Sequence, residues 1–307
     1  MPDSDKIACV TGASGMIGNR IVEQLIQNGY KVRALSRKLN YCLPGVEHYH
    51  GGIEDTNVLE KFVSGADAVF HCAAELYDET RMWEVNYEGT KRLVHTVNRS
   101  NAAYFCFLSS ATVVGKTIER DIDEETPCNP QTIYEKSKYE AEKYISKYLR
   151  CKKVLILRPM YVVDDNRPGI LDNIIKKSLL GRIMVFVKGG ERSHIVHAKD
   201  VAKASIYFIT KSFVSPSYYI ISCDHDEYNS FGWISKISAA YKRGGSVEKI
   251  RRPSIYMPLL ILNILIRLIN KNNRHLFGKY FSSRKLISDG FVFESNVINI
   301  IHNVIKH

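Results

Sequence analysis

The sequence predicts an α/β chain, built on a doubly wound and mostly parallel sheet with a smaller C-terminal portion. Three observations lead there. An apolar run at Lys6–Val10 opens directly into a glycine-rich turn and then a helix. Short apolar runs alternate with helical periodicity as far as Ser110. A tyrosine and a lysine then stand one helical turn apart, at Tyr134 and Lys138. With 307 residues, the chain has room for one large α/β domain and a smaller one. The expected division is 1–165, with 195–225 contributing to it, and 166–307.

The first strand, Lys6–Val10, feeds Thr11-Gly12-Ala13-Ser14-Gly15-Met16-Ile17-Gly18. The helix that follows turns Ile17, Ile21, Val22, Leu25 and Ile26 to one side and stops at Asn28-Gly29. Glycines at 12, 15 and 18 permit a tight turn and a close backbone approach, and the N–H groups of the helix start then face an anion. A bare turn is the alternative reading. The strand before and the helix and strand after favour a pyrophosphate cradle.

The second strand is Lys31–Leu35, followed by Ser36-Arg37-Lys38. A carboxylate here would accept from a ribose 2′-OH, whereas a serine hydroxyl and a guanidinium suit a 2′-phosphate. The expected cofactor is therefore NADP(H) rather than NAD(H). Val46–Gly52 reads as a third strand, about 57–63 as a helix, and Ala66–Ala74 as a fourth strand ending in His71-Cys72-Ala73-Ala74. A helix carrying Val85–Thr90 follows. The fifth strand, Tyr104–Ser110, ends on hydroxyls at the carboxyl edge of the sheet, where open α/β sheets bind ligands.

The Tyr134 helix comes next. A free tyrosine titrates near pH ~10, and a lysine one turn away is expected to lower that value, so that the pair works as acid or base on a carbonyl or alcohol. Beyond it the sequence predicts a helix at about 169–180, strands at Ile183–Val187 and Tyr218–Ser222, and a helix at Ser230–Tyr241. A basic knot, Lys249-Ile250-Arg251-Arg252, precedes the most apolar stretch, Ile255–Ile269. Pro258, Asn263 and Arg267 interrupt that stretch, which reads as a pocket-covering helix or a contact with a membrane surface rather than a span. Val297, Ile300, Ile301, Val304 and Ile305 mark a closing amphipathic helix.

The formal net charge is +11, with Lys and Arg spread along the chain. That is either a solvated basic surface or a match for an anionic partner. Small phosphates are favoured over nucleic acid, because no basic-aromatic motif appears. The seven cysteines form no CxxC pair and no His/Cys metal spacing, so buried thiols in a reducing compartment are expected, and no metal. Met1–Lys6 is polar with no visible signal peptide, which makes the cytoplasm the expected location.

TGASGMIG, HCAA, VNYEGT, LSSATVVG, YEKSK, Leu157-Arg158-Pro159 and HAKDVAKA from His197 occur in that order. Together they resemble the extended short-chain dehydrogenase/reductases of the NAD-dependent epimerase/dehydratase type, which have a Rossmann-like fold. The resemblance covers about 5–210. It implies Ser110 on the substrate oxygen, Tyr134 as acid or base, and Lys138 on the nicotinamide ribose. Cofactor contacts are implied at Gly12, Ser14, Gly15, Met16, Ile17, Gly18, Arg37, Ile53, Ala73, Ala74, Tyr134, Lys138 and Pro159. Substrate contacts are expected at Ser110, Thr112, Tyr134, Arg192 and Arg251. Asn86 either joins the site or braces a helix, and His197 and Asp200 read as structural.

The sequence departs from the family pattern in places. Gly52 stands where an Asp near the adenine is common, Val114 where Tyr is common, and Asp164 where Gly is usual. The 4,6-dehydratases carry Asp-Glu after their hydroxyl residue, but here those positions are Ala111 and Thr112. Elimination of water is therefore not expected. The resulting expectation is reduction of a carbonyl, foremost the 4-keto group of a nucleotide-linked deoxysugar. A nucleotide-sugar C4 epimerase and a hydroxysteroid- or dihydroflavonol-type reductase are the alternatives, and a homodimer is the expected assembly.

Overall fold

The computed structural model describes residues 5–176, 178–245 and 278–306. Arg251, the basic knot around it and Ile255–Ile269 lie outside the described residues.

In chain order, β1 (Ile7–Thr11) leads into α1 (Met16–Gln27), then β2 (Lys31–Ser36) and β3 (Val46–His50). Helix α2 (Thr56–Val63) precedes β4 (Ala68–His71). A continuous helical stretch follows: α3 (Glu79–Trp83), a wide π-turn (Glu84–Glu88) and α4 (Gly89–Val97). Next come β5 (Tyr104–Leu108), a single 3-10 turn (Ala111–Val114), β6 (Asp121–Ile122), α5 (Ile133–Tyr148), β7 (Lys153–Pro159) and β8 (Tyr161–Val163). The chain continues through α6 (Leu171–Ile175), α7 (Leu179–Lys188), β9 (Ile195–His197), α8 (Ala198–Tyr207), β10 (Ser217–Ile221) and α9 (Phe231–Tyr241). The remaining described elements are β11 (Tyr280–Phe281), α10 (Arg284–Ser288) and α11 (Val297–Lys306).

Local chemistry sets several of these boundaries. The Asp55 carboxylate caps α2 by accepting from the Val58 N–H. Thr132 and Glu135 form a capping box at the start of α5, the helix that carries Tyr134. Strand β4 stops at His71, short of the expected Ala74: the Cys72 N–H is shared between the Thr11 carbonyl and hydroxyl, and the Ala73 N–H goes to the hydroxyl.

The chain divides into two compact units: Met1–Gly115, Cys128–Arg158 and Val201–Tyr219 form one, and Lys116–Pro127, Pro159–Asp200 and Ile220–His307 the other. A seven-stranded sheet runs β3-β2-β1-β4-β5-β7-β10. The pairs from β3 across to β7 are parallel. Strands β4 and β5 are buried at every residue, which explains why both are apolar apart from His71. The strand order reverses between β1 and β4, and Thr11 lies level with both Leu35 and His71. The glycine turn after β1 and the His71–Ala74 segment after β4 thus leave the sheet at its switch point.

The second unit has its own apolar core, formed by Leu171, Ile174, Phe231, Ile234, Ile237, Ile300 and their neighbours. Two short parallel pairs, β6 with β11 and β8 with β9, belong to it.

The expected strand at Ile183–Val187 is instead helical, and the expected helix over 169–180 breaks into α6 and the start of α7. Two features explain the change. The Ser178 hydroxyl accepts from the Gly181 N–H and starts α7 there. Gly181 also packs so closely on the Asn173 carbonyl that any side chain would collide with it. The β-branched run that read as a strand is overridden by this helix–helix contact. No helix among the described residues is long and apolar enough to cross a membrane.

Candidate active site

The glycine turn is built for close approach. Gly12 has φ +62°, and a Cβ there would stand 2.7 Å from the Ala73 nitrogen. A Cβ at Gly18 would run into the Gly12 carbonyl, so the first turn of α1 sits directly on the loop. Gly15 caps α1 without a side-chain hydrogen bond, and the first turn carries no acid. Met16, Ile17 and Gly18 thus open the helix at an end that favours an anion, and the cradle fits a pyrophosphate.

Beside the turn, the Ser36 hydroxyl donates to Ser14 Oγ at 2.7 Å and accepts from the Lys38 N–H at 3.0 Å. Ser36 thus closes the loop onto Ser14, at the edge of the glycine turn. Arg37 is exposed at the end of β2. Its charge helps hold the Glu75 carboxyl below its ordinary range, although hydrogen bonds from the Tyr77 backbone and its neighbours do most of that. Ile53 is buried beneath Gly89, which leaves the main chain as the means of contact at that position.

A directed chain of hydrogen bonds ties the ends of β1 and β4 to α4. The Thr90 hydroxyl donates to the Asn86 carbonyl at 2.6 Å, so it accepts from His71 Nε2 at 2.9 Å. Nδ1 of His71 then accepts from Thr11 Oγ1 at 2.8 Å, and Thr11 in turn accepts from the Cys72 and Ala73 N–H groups at 3.2 Å. The tautomer of His71 is thereby set. Burial, with Lys138 nearby, pushes its pKa down to about 3, so the ring is neutral. Thr11 and Thr90 lie far from HCAA in the sequence, so the segment itself gives no sign of this network.

At the end of β5, the Lys138 ammonium donates to the Leu108 carbonyl at 2.5 Å and lies 4.3 Å from the centre of the Phe107 ring. Burial pushes it down to about 8, and Glu142, one turn further along α5, works against that. Glu142 is in turn clasped by Arg158, with Nε to Oε1 at 3.0 Å and Nη2 to Oε2 at 2.7 Å. Tyr134, Lys138 and Glu142 stand at i, i+4 and i+8 on one face of the helix.

The Tyr134 phenol shares a hydrogen bond with Ser110, and burial pushes its pKa up to about 12 against the lowering effect of that bond. Ser110 Oγ is also 2.8 Å from Thr112 Oγ1, so three hydroxyls form a line. The expectation that Lys138 lowers the Tyr134 pKa is corrected here. The lysine cation is turned to the Leu108 carbonyl and the Phe107 face, and burial dominates at the phenol.

The sequence model described as the NAD dependent epimerase/dehydratase family matches residues 8–222. The chain belongs to this family. It is thus an enzyme of NAD(P)-dependent oxidoreductase type, with a nicotinamide dinucleotide as cofactor. The sterol-4-alpha-carboxylate 3-dehydrogenase (decarboxylating) of Dictyostelium discoideum is 31% identical over 244 residues, covering 72% of this chain and 73% of that protein. The N-acetyl-alpha-D-glucosaminyl-diphospho-ditrans,octacis-undecaprenol 4-epimerase of Escherichia coli O157:H7 is 24% identical over 200 residues, covering 62% and 60%. Among solved structures, Bordetella bronchiseptica WbmH in complex with NAD+ superposes with a TM-score of 0.72 at 19% identity, covering 98% of both chains. The Thermotoga maritima UDP-glucose 4-epimerase with UDP-glucose gives 0.70 at 18% identity, covering 98% of this chain and 99% of that one. At such identities these structures show a common fold.

Other expected residues of this family member fall in different places. Asn86 is a brace: its Oδ1 accepts from the Glu75 N–H at 2.7 Å, and its Nδ2 donates to the Glu75 carbonyl at 3.0 Å and to Ser137 Oγ at 3.1 Å. Ala73 and Ala74 are partly buried at the end of β4, and Pro159 closes β7. Arg192 belongs to the second unit, is exposed, and donates to the Asp226 carbonyl at 2.7 Å. In the same unit His197 Nε2 faces Asp165 at 3.2 Å, and Asp200 accepts from the Glu294 and Ser295 N–H groups.

Proposed function

We propose that the chain is an NADP(H)-dependent reductase of the 4-keto group of a nucleotide-linked deoxysugar. The observation that carries this reading is the Tyr134 phenol hydrogen-bonded to Ser110, which sets a proton donor beside a second hydroxyl at the end of β5. Such a phenol can pass its proton to the alkoxide that hydride transfer to a carbonyl creates.

Bound in the glycine cradle, the dinucleotide supplies the hydride. Tyr134 gives its proton to the carbonyl oxygen of the substrate, and Ser110 donates a hydrogen bond to the same oxygen as negative charge gathers there. Thr112 holds the Ser110 hydroxyl in line. Lys138, anchored on Leu108, presents a cation beneath the site and fixes the pitch of α5 relative to the end of β5. The absence of a carboxylate at positions 111 and 112 supports redox at one carbon rather than elimination. For the cofactor, β2 ends in Ser36-Arg37-Lys38 with no acid, and the exposed Arg37 suits a 2′-phosphate.

A second reading, oxidation of a sterol or hydroxysteroid alcohol, is favoured by the Dictyostelium relative. Purified protein mixed with NADPH and a UDP-4-keto-6-deoxysugar should consume NADPH. Dinucleotide reduction with a 3-hydroxysterol instead, or interconversion of UDP-glucose and UDP-galactose without net consumption, would replace this reading with the sterol or the epimerase one. Tyr134→Phe should lower turnover by about 10²–10⁴ while cofactor binding persists; unchanged turnover would remove the acid role.

A further inference from the structure

Helix α7, which replaces the expected strand, carries an apolar face open to solvent. Leu179, Leu180, Ile183 and Phe186 are 76%, 62%, 51% and 46% exposed. Their spacing puts them along one side of the helix. The other side is in use: Gly181 is buried against the Asn173 carbonyl, and Met184 and Val185 pack on the core of the second unit. A single exposed leucine is ordinary, but four large apolar side chains along one helix face mark a surface with a partner.

The charge around this face narrows the choice of partner. Between Asp172 and Glu191 the sequence carries Lys176, Lys177, Arg182 and Lys188, and no acid. Arg182 is exposed and falls on the apolar side, three residues after Leu179 and four before Phe186. Lys176 is also exposed and pairs with Asp172 at 2.9 Å. Lys188 lies over the Phe231 ring, which leaves Arg182 as the cation placed on the apolar side, and a symmetric second copy would bring that charge toward its own counterpart. An apolar surface bearing negative charge satisfies both features at once.

We propose that α7 docks the protein on an anionic phospholipid surface. Leu179, Leu180, Ile183 and Phe186 enter the boundary between headgroups and acyl chains, and Arg182 meets the phosphates. With 10 residues the helix lies in the surface, being about half the length needed to cross. The full chain would then work on substrates presented at, or released near, a bilayer.

Co-sedimentation of the full-length protein with phosphatidylcholine vesicles, with and without phosphatidylglycerol, tests this. Binding is expected only to the anionic vesicles and should weaken with added salt. The double variant Ile183→Asp/Phe186→Asp should reduce partitioning by about tenfold or more. Arg182→Glu, an exposed change that leaves the apolar packing alone, should reduce it by about fivefold. Thermal unfolding of each variant separates lost docking from a lost fold, and Arg182→Glu keeps the test decisive if the double variant unfolds. No partitioning by the wild type, or partitioning that neither variant moves, overturns the proposal. So does a dimer in sedimentation velocity that the double variant abolishes, which would assign the face to a second copy.

Discussion

The two units use their buried polar groups differently. In the first, the Thr11–His71–Thr90 chain and the Lys138–Glu142–Arg158 ladder converge on the carboxyl ends of β1, β4 and β5, next to Ser110 and Tyr134. In the second, Asn229 acts as a clip: its Oδ1 accepts from Ser193 and from the Ile195 N–H, and its Nδ2 donates to the carbonyls of Ile195, Ser222 and Cys223. Asp224 similarly gathers the Tyr280 hydroxyl and the Ser283 N–H. The clip joins loops to one another, whereas the ladder ties the side chains of α5 to the ends of β5 and β7. Residues that satisfy backbone should fail through stability alone, and residues of the ladder should move chemistry and stability together.

The largest effect should come from breaking the ladder. Arg158→Met leaves Glu142 buried without its cation, at an expected cost of about 3–5 kcal/mol in urea unfolding. It also frees the carboxylate that supports the Lys138 charge to shift or take up a proton, so turnover should fall further than the unfolded fraction accounts for. Loss of stability with unaltered turnover per folded molecule would put the ladder on the same footing as the clip.

His71 offers a pH-dependent version of the test. The unfolded chain takes up this proton near pH ~6.5, while the folded ring does so only at about 3. Stability should therefore fall as pH drops through that window, by roughly 5 kcal/mol in all. A His71→Gln variant, compared with wild type from pH 7 to 4, should lose that share of the acid sensitivity. Parallel curves would contradict the neutral, doubly bonded ring.

Asn229→Ala should cost about 1–3 kcal/mol and leave dinucleotide affinity unchanged, as measured by fluorescence titration. A change in affinity would end the contrast between the units. The mildest effect is expected at the exposed Arg37. Arg37→Asp should weaken NADPH about tenfold and spare NADH; equal losses for both would remove the 2′-phosphate argument.

Much of the first unit was legible because its signals are local. Gly12 and Gly18 stand where backbone meets backbone, and Tyr134 and Lys138 lie one helical turn apart. What escaped was long-range. Nothing near His71 in sequence announces Thr11 and Thr90, and the pairing of Glu142 with Arg158 spans a helix and a strand. Glu142 could have been found, since it continues the spacing of Tyr134 and Lys138 by one more turn. In the second unit Ile183–Val187 misled because β-branched content signals a pleated surface only when no closer packing intervenes, and Gly181 supplies such packing. The bond from Ser36 to Ser14 is likewise invisible in the sequence, because 22 residues separate the two.

The π-turn at Glu84–Glu88 has a consequence for how the site tolerates change. A regular helix through this stretch would run out of phase by one residue. It could then point Asn86 at the Glu75 loop or set Gly89 flush on Ile53, but not both. The wider turn keeps both alignments. Removing one residue here would leave a better helix by local criteria and detach it from either the loop after β4 or the segment after β3. Shortening the helix by one residue therefore costs one of the two contacts.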